Sequence, residues 1–190
     1  MAFAPLTWYN LDTQDLFKVI YYISDDGNTI VGVQRNDIYN RLYTFKKSII
    51  NNAHTWVTDR YISIPVSQTS TVYVFKNTII VQDSTQTKLL IYKYDIETGQ
   101  YSLSNEHTTP RESIGGSLHY IEIKNVLVSD DGSTIGYLAR RPTNLGYTAH
   151  YIYCSKDNGK TFSLITTNEH QSDQSFAKFL LSTDGTITVS

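Results

Sequence analysis

The chain has 190 residues, 40% of them hydrophobic, which is long and apolar enough for a sizeable core. Only 18% are charged and the formal net charge is −2, which argues against a broad basic footprint for nucleic acid. The lone cysteine, Cys154, excludes an intramolecular disulfide, and no apolar run reaches transmembrane length. In chain order, the segment around Trp8 has neither a basic stretch nor a long apolar one, so no signal peptide is expected and synthesis in the cytoplasm is. A first set of strands is predicted over 16–24, 29–34, 41–47 and 55–62, with clear alternation in Leu42-Tyr43-Thr44-Phe45-Lys46. A second set covers 71–75, 78–82, 88–95 and 100–104, and a third 119–129, 134–140, 150–155 and 161–166. A fourth begins with 176–182 and 186–189. The 15 tyrosines suit such pleated, half-buried strands and also suit contact surfaces.

These sets repeat one another. Ile23-Ser24-Asp25-Asp26-Gly27-Asn28-Thr29-Ile30, Val128-Ser129-Asp130-Asp131-Gly132-Ser133-Thr134-Ile135 and Leu181-Ser182-Thr183-Asp184-Gly185-Thr186-Ile187 share a pattern. The first interval between their serines is about twice the second, so a copy is expected between them. Val74-Phe75-Lys76-Asn77-Thr78-Ile79 supplies it, keeping Asn-Thr-Ile and losing Ser-Asp-Asp-Gly. Each copy reads as a hairpin in which Asp caps backbone N–H groups and Gly supplies φ > 0. A period of about 50 residues points to a propeller or solenoid. The expected fold is therefore all-β, a small propeller of about four antiparallel four-stranded blades in one domain over 1–190. The blades would be 14–62, 71–104, 119–166 and 176–190. Residues 7–12 resemble a fourth strand such as the one at Thr55-Trp56, so an N-terminal strand is expected to join the last blade or, failing that, a second subunit would.

Ser155-Lys156-Asp157-Asn158-Gly159-Lys160-Thr161-Phe162 resembles the Asp-box of sialidase-type (BNR) propeller repeats, with fainter traces at 48–56 and 95–101. The resemblance implies a structural role for Ser155, Asp157, Gly159, Thr161 and Phe162 on a turn, away from any active site. It would also ask for an arginine cluster and a Tyr–Glu pair, which no spacing here singles out. The composition, rich in Ser, Thr, Asn and Tyr and poor in Cys, is similar to that of bacteriophage and viral structural proteins.

No His-x-His or His-x-x-x-His pair, phosphate loop or Gly-x-Ser-x-Gly elbow is present, so no metal, cofactor or catalytic group is expected. The Asp25-Asp26 and Asp130-Asp131 pairs read as turn residues, and Cys154 as a buried thiol mid-strand. The Gly115-Gly116 pair reads as a flexible loop. The longer loops fall at one end of the sheets, 34–41, 83–88, 140–149, 61–70, 105–118 and 168–175, and binding is expected there. Arg35, Tyr39, Arg111, Glu112, Arg140, Arg141, Asn144 and Tyr147 are the candidate contacts. The expected function is a non-enzymatic interaction or assembly module, associated with a virion as a structural, tail or decoration protein. Its partners would be other structural proteins or further copies of itself. A lectin-like propeller that binds glycans is the alternative, and a sialidase-like glycosidase the second. Neither nucleic acid nor membrane insertion is expected.

Overall fold

The structure is a computed structural model that describes residues 17–24, 26–34, 41–50, 53–62, 64, 70–75, 77–114, 116–129, 131–141, 148–170, 179–182 and 186–189. The described residues are all-β, and every paired strand is antiparallel. The chain divides into two compact units, Met1–Ile62 and Ser63–Ser190.

In the first unit, β1 (Phe17–Ile23), β2 (Thr29–Gln34), β3 (Leu42–Ile50) and β4 (Ala53–Ile62) form one sheet in chain order. Ile30, Val33, Leu42, Phe45 and Ile62 are its buried side chains of note. The second unit opens with a sheet of β5 (Thr71–Phe75), β6 (Thr78–Gln82), β7 (Lys88–Asp95) and β8 (Gln100–Thr108). A two-stranded hairpin follows, β9 (Arg111–Ile114) and β10 (Ser117–Tyr120). Next comes a sheet of β11 (Glu122–Val128), β12 (Ile135–Arg140), β13 (Thr148–Ser155) and β14 (Ser163–His170). The short pair β15 (Phe179–Leu181) and β16 (Ile187–Val189) completes the described chain.

Two of these sheets share a core. Ile80, Leu89 and Ile91 from one pack with Ile123, Ile135, Tyr137, Ala139 and Tyr151 from the other, and Tyr153 and Phe162 close its margin. Such burial is the main favourable term for holding the sheets together. Polar bridges then fix their register. Gln82 Nε2 donates to Ile123 O at 2.8 Å, Lys93 Nζ to Gly132 O at 2.6 Å and Asn105 Nδ2 to Asn158 O at 3.1 Å.

The Ser-Asp-Asp-Gly turns behave alike. Ser24 Oγ donates to Asp26 Oδ1 at 2.5 Å, and Ser129 Oγ to Asp131 Oδ1 at 2.6 Å. The same serine oxygens accept the N–H of Thr29 and Thr134, and Ser182 does so for Thr186. Gly132 sits at φ +73 to close its turn. In the worn copy Phe75 pairs directly with Thr78, so the ladder closes without room for the longer motif.

Each four-stranded sheet also carries a bulge in its last strand at the corresponding place. Thr44 and Phe45 pair with Arg60 and Thr58, Ile91 and Tyr92 with Asn105 and Leu103, and Ile152 and Tyr153 with Thr166 and Leu164. Asp59, Ser104 and Ile165 are the extra residues. Bulges of this kind twist an edge away from further pairing.

Three expectations change. The described residues form five separate sheets, none closed on itself, and not a closed four-bladed propeller. The stretch 105–118 is not a bare loop: β8 runs on to Thr108, and β9 and β10 form a hairpin whose turn holds Gly116 at φ +85. The trace of a box at 48–56 is absent, because Ser48 pairs with Thr55 and Lys47 with Trp56 inside the β3–β4 ladder. Residues 7–12 lie outside the described residues.

Candidate functional site

The β9–β10 hairpin carries two of the predicted contacts, Arg111 and Glu112. Its register sets Arg111 opposite Tyr120 and Glu112 opposite His119. Directly opposed residues share a face and neighbours along a strand alternate, so Arg111 and Glu112 leave on opposite sides. Glu112 turns toward the β11–β14 sheet. Its Oε2 accepts a hydrogen bond from the Tyr151 hydroxyl at 2.6 Å and lies 3.8 Å from Arg141 Nη1. Arg141 continues the line of β12, where its N–H donates to Ala149 O at 2.9 Å. Burial raises the Tyr153 hydroxyl above the usual tyrosine range, and the Glu112 charge adds to this.

Arg111 is exposed on the other side of the hairpin. Its guanidinium lies over the Tyr120 ring, 4.2 Å from the centroid, and donates to the Tyr120 hydroxyl. Stacking and hydrogen bonding together hold a long side chain in one direction. Arg140 departs from the face opposite Arg141, in register with His150, and its Nε is buried without a hydrogen-bond partner among the described residues. Thus Glu112 and Arg141 meet at Tyr151, Arg111 lies on the other side of the hairpin with Tyr120, Arg140 points elsewhere, and Arg35, Tyr39, Asn144 and Tyr147 lie outside the described residues. Tyr151 and Tyr120 were not singled out in the sequence. The Tyr-x-Tyr alternation at 151–153 was the available signal.

The eight-residue turn between β13 and β14 is a self-contained polar device. Ser155 Oγ donates to Asp157 Oδ1 at 2.7 Å and accepts the buried Gly159 N–H at 2.8 Å. Asp157 in turn accepts the Thr161 hydroxyl at 2.6 Å and the Thr161 N–H at 2.9 Å. The Thr161 hydroxyl and N–H, then Ser155, hold the Asp157 carboxyl far below its ordinary range. Phe162 packs against His107, with ring centroids 4.1 Å apart and planes tilted by 35°. The polar side chains of Ser155, Asp157 and Thr161 are used within the turn, so they hold structure. A recess of about 280 Å³ beside it is lined by Cys154, Lys156, Asp157, Thr161, Ser163 and Ile165. The Cys154 thiol there is buried and its pKa raised by that burial, which keeps it protonated and unreactive.

No known protein family matches the sequence, and no curated protein does. Among solved structures, a protein from Bacteroides uniformis described as a putative 6-phosphogluconolactonase shows a likeness at 13% identity and TM-score 0.47. The match covers 90% of this chain and 46% of that protein, so this chain spans about half its length. At that TM-score no fold or activity passes to this chain. These findings overturn the resemblance to sialidase-type BNR propellers, since no such family matches and the sheets do not close. The compositional likeness to phage and viral structural proteins likewise finds no related sequence behind it. The expectation of a chain without enzymatic activity is withdrawn as well; the protein of this likeness carries an enzyme's name, which is said of that protein alone.

Proposed function

We propose that this chain is an interaction module that docks on a larger assembly through the β9–β10 hairpin and the adjoining ends of β12 and β13. The observation that carries the reading is the junction of Glu112 with Tyr151 and Arg141, which locks the hairpin to the sheet behind it. A rigidly held hairpin presents its outer side without the ordering cost that a loose loop would add on binding. The bulges in β4, β8 and β14 favour this surface over the sheet edges, because they discourage strand addition there. A glycosidase reading through the Tyr151–Glu112 pair is disfavoured by access, since Tyr151 is only 5% exposed.

A virion is the assembly that the sequence reading expected, and the test does not depend on which particle it is. The protein is purified from its own source at native abundance and run on a sizing column under mild salt. Co-elution with a defined particle or oligomer is expected, and Glu112→Gln with Arg141→Gln is expected to shift most of it to the monomer position. A wild-type chain that elutes only as a free monomer overturns the reading.

A further inference from the structure

The outer face of the hairpin has its own chemistry. Arg111 pairs with Tyr120 and Ser113 with Leu118, so these four side chains share the side opposite Glu112. Arg111, Ser113 and Leu118 are exposed, Leu118 at 66%. Arg111 has no carboxylate partner among the described residues, whereas Lys46, Lys88, Lys124 and Arg141 each have one. One of its donors is taken by the Tyr120 hydroxyl, which leaves most of the guanidinium fork free. A preoriented guanidinium on an aromatic ring, beside an exposed leucine, combines the residue types that dominate binding hot spots. Its positive charge, without a carboxylate partner among the described residues, calls for a carboxylate, and Leu118 calls for an apolar side chain next to it.

We infer that this face binds an acidic, leucine-like segment of a partner protein: a carboxylate on Arg111 and an apolar side chain against Leu118 and Tyr120. The inference rests on the interaction-module reading and adds the partner's chemistry to it. The inner face is excluded as the contact because Glu112 already satisfies Arg141 and Tyr151 there.

The probe is a short labelled peptide of alternating Glu, Leu and Ser, titrated with the full chain and followed by fluorescence anisotropy. Its counterpart with Gln for Glu, and polygalacturonate as an acidic glycan, serve as comparisons. The acidic peptide is expected to bind about tenfold more tightly than its Gln counterpart, and to weaken as salt rises. Arg111→Gln is expected to cost about tenfold and Leu118→Ser about fivefold, with unchanged circular dichroism. Equal binding of both peptides, or no change on Arg111→Gln, overturns the inference. So does polygalacturonate binding that Leu118→Ser leaves untouched, which would make the ligand a glycan. If the chain still co-elutes with its particle in those cases, the module reading survives alone. A free monomer with no partner removes that reading instead.

Discussion

Ser155 and Gly159 show how much one turn asks of single residues. The Ser155 hydroxyl satisfies the Gly159 N–H, which is buried, while Gly159 sits at φ +84. A Cβ at Gly159 would strike Ile91 Cδ1 and come within 3.2 Å of Ile135 Cδ1, in the core shared by two sheets. Ile91 could turn its terminal methyl aside, but it is fully buried and any new rotamer would have to displace its neighbours. The left-handed backbone adds a second cost. Gly159→Ala is therefore expected to destabilise by about 1–3 kcal/mol. Ser155→Ala leaves a buried donor unsatisfied and is expected to cost about 1–3 kcal/mol as well. Urea unfolding midpoints check both, and because the two residues share one hydrogen bond the double variant should fall short of the sum.

The hairpins and their turns were legible element by element. Alternation in Leu42-Tyr43-Thr44-Phe45-Lys46 predicted β3, and Ser-Asp-Asp-Gly predicted the β1–β2 and β11–β12 turns, because both signals are local. The β9–β10 hairpin was missed for the same reason. Its strands hold four residues each, too few to show a period, and the Gly115-Gly116 pair read equally well as a flexible loop. The candidate site was legible only in part. Arg111, Glu112 and Arg141 stood out as charges on long connections, while Tyr151 looked like any core tyrosine, since its partner lies 39 residues away. Bulges left no trace in the sequence at all, as they depend on pairing between strands. Their role can be tested in β8. Deleting Ser104 would place Leu103 and Asn105 in regular succession opposite Tyr92 and Ile91 and flatten an edge strand. The variant is expected to self-associate at lower concentration than the wild type, measured by light scattering across a dilution series. An unchanged profile would mean that the bulge does not guard the edge.

At the scale of the whole molecule, the chain's ionisable groups predict a two-stage response to acid. His107 lies between two sheets, with Nε2 2.9 Å from the Tyr137 hydroxyl and its ring against Phe162. Desolvation lowers its pKa to about 4, against about 6.5 in an unfolded chain. The unfolded state therefore binds a proton that the folded state refuses between those values. Stability from this group is complete above about pH 6.5 and is lost as pH falls toward 4. The turn carboxylates act lower down. The Ser129 hydroxyl and Ser133 donors bring Asp131 to about 2, and the Ser24 hydroxyl at Asp26, the Glu97 N–H at Asp95 and the Thr161 hydroxyl at Asp157 act in the same direction. Their contribution is complete above the unfolded aspartate value of about 3.9 and disappears as pH falls through the folded values. Urea unfolding from pH 7 to 3 is therefore expected to show a first decline between about 6.5 and 4 and a second below it. His107→Gln keeps a donor and acceptor for Tyr137 without a titrating ring, so it should flatten the first decline and leave the second in place. Equal slopes for wild type and His107→Gln between pH 6.5 and 4.5 would show that His107 does not enter the fold as a neutral group. Asp157→Asn tests the lower stage separately, since it removes one carboxylate and keeps the turn's shape. It should lower stability at pH 7 and narrow the gap from wild type as pH approaches 3.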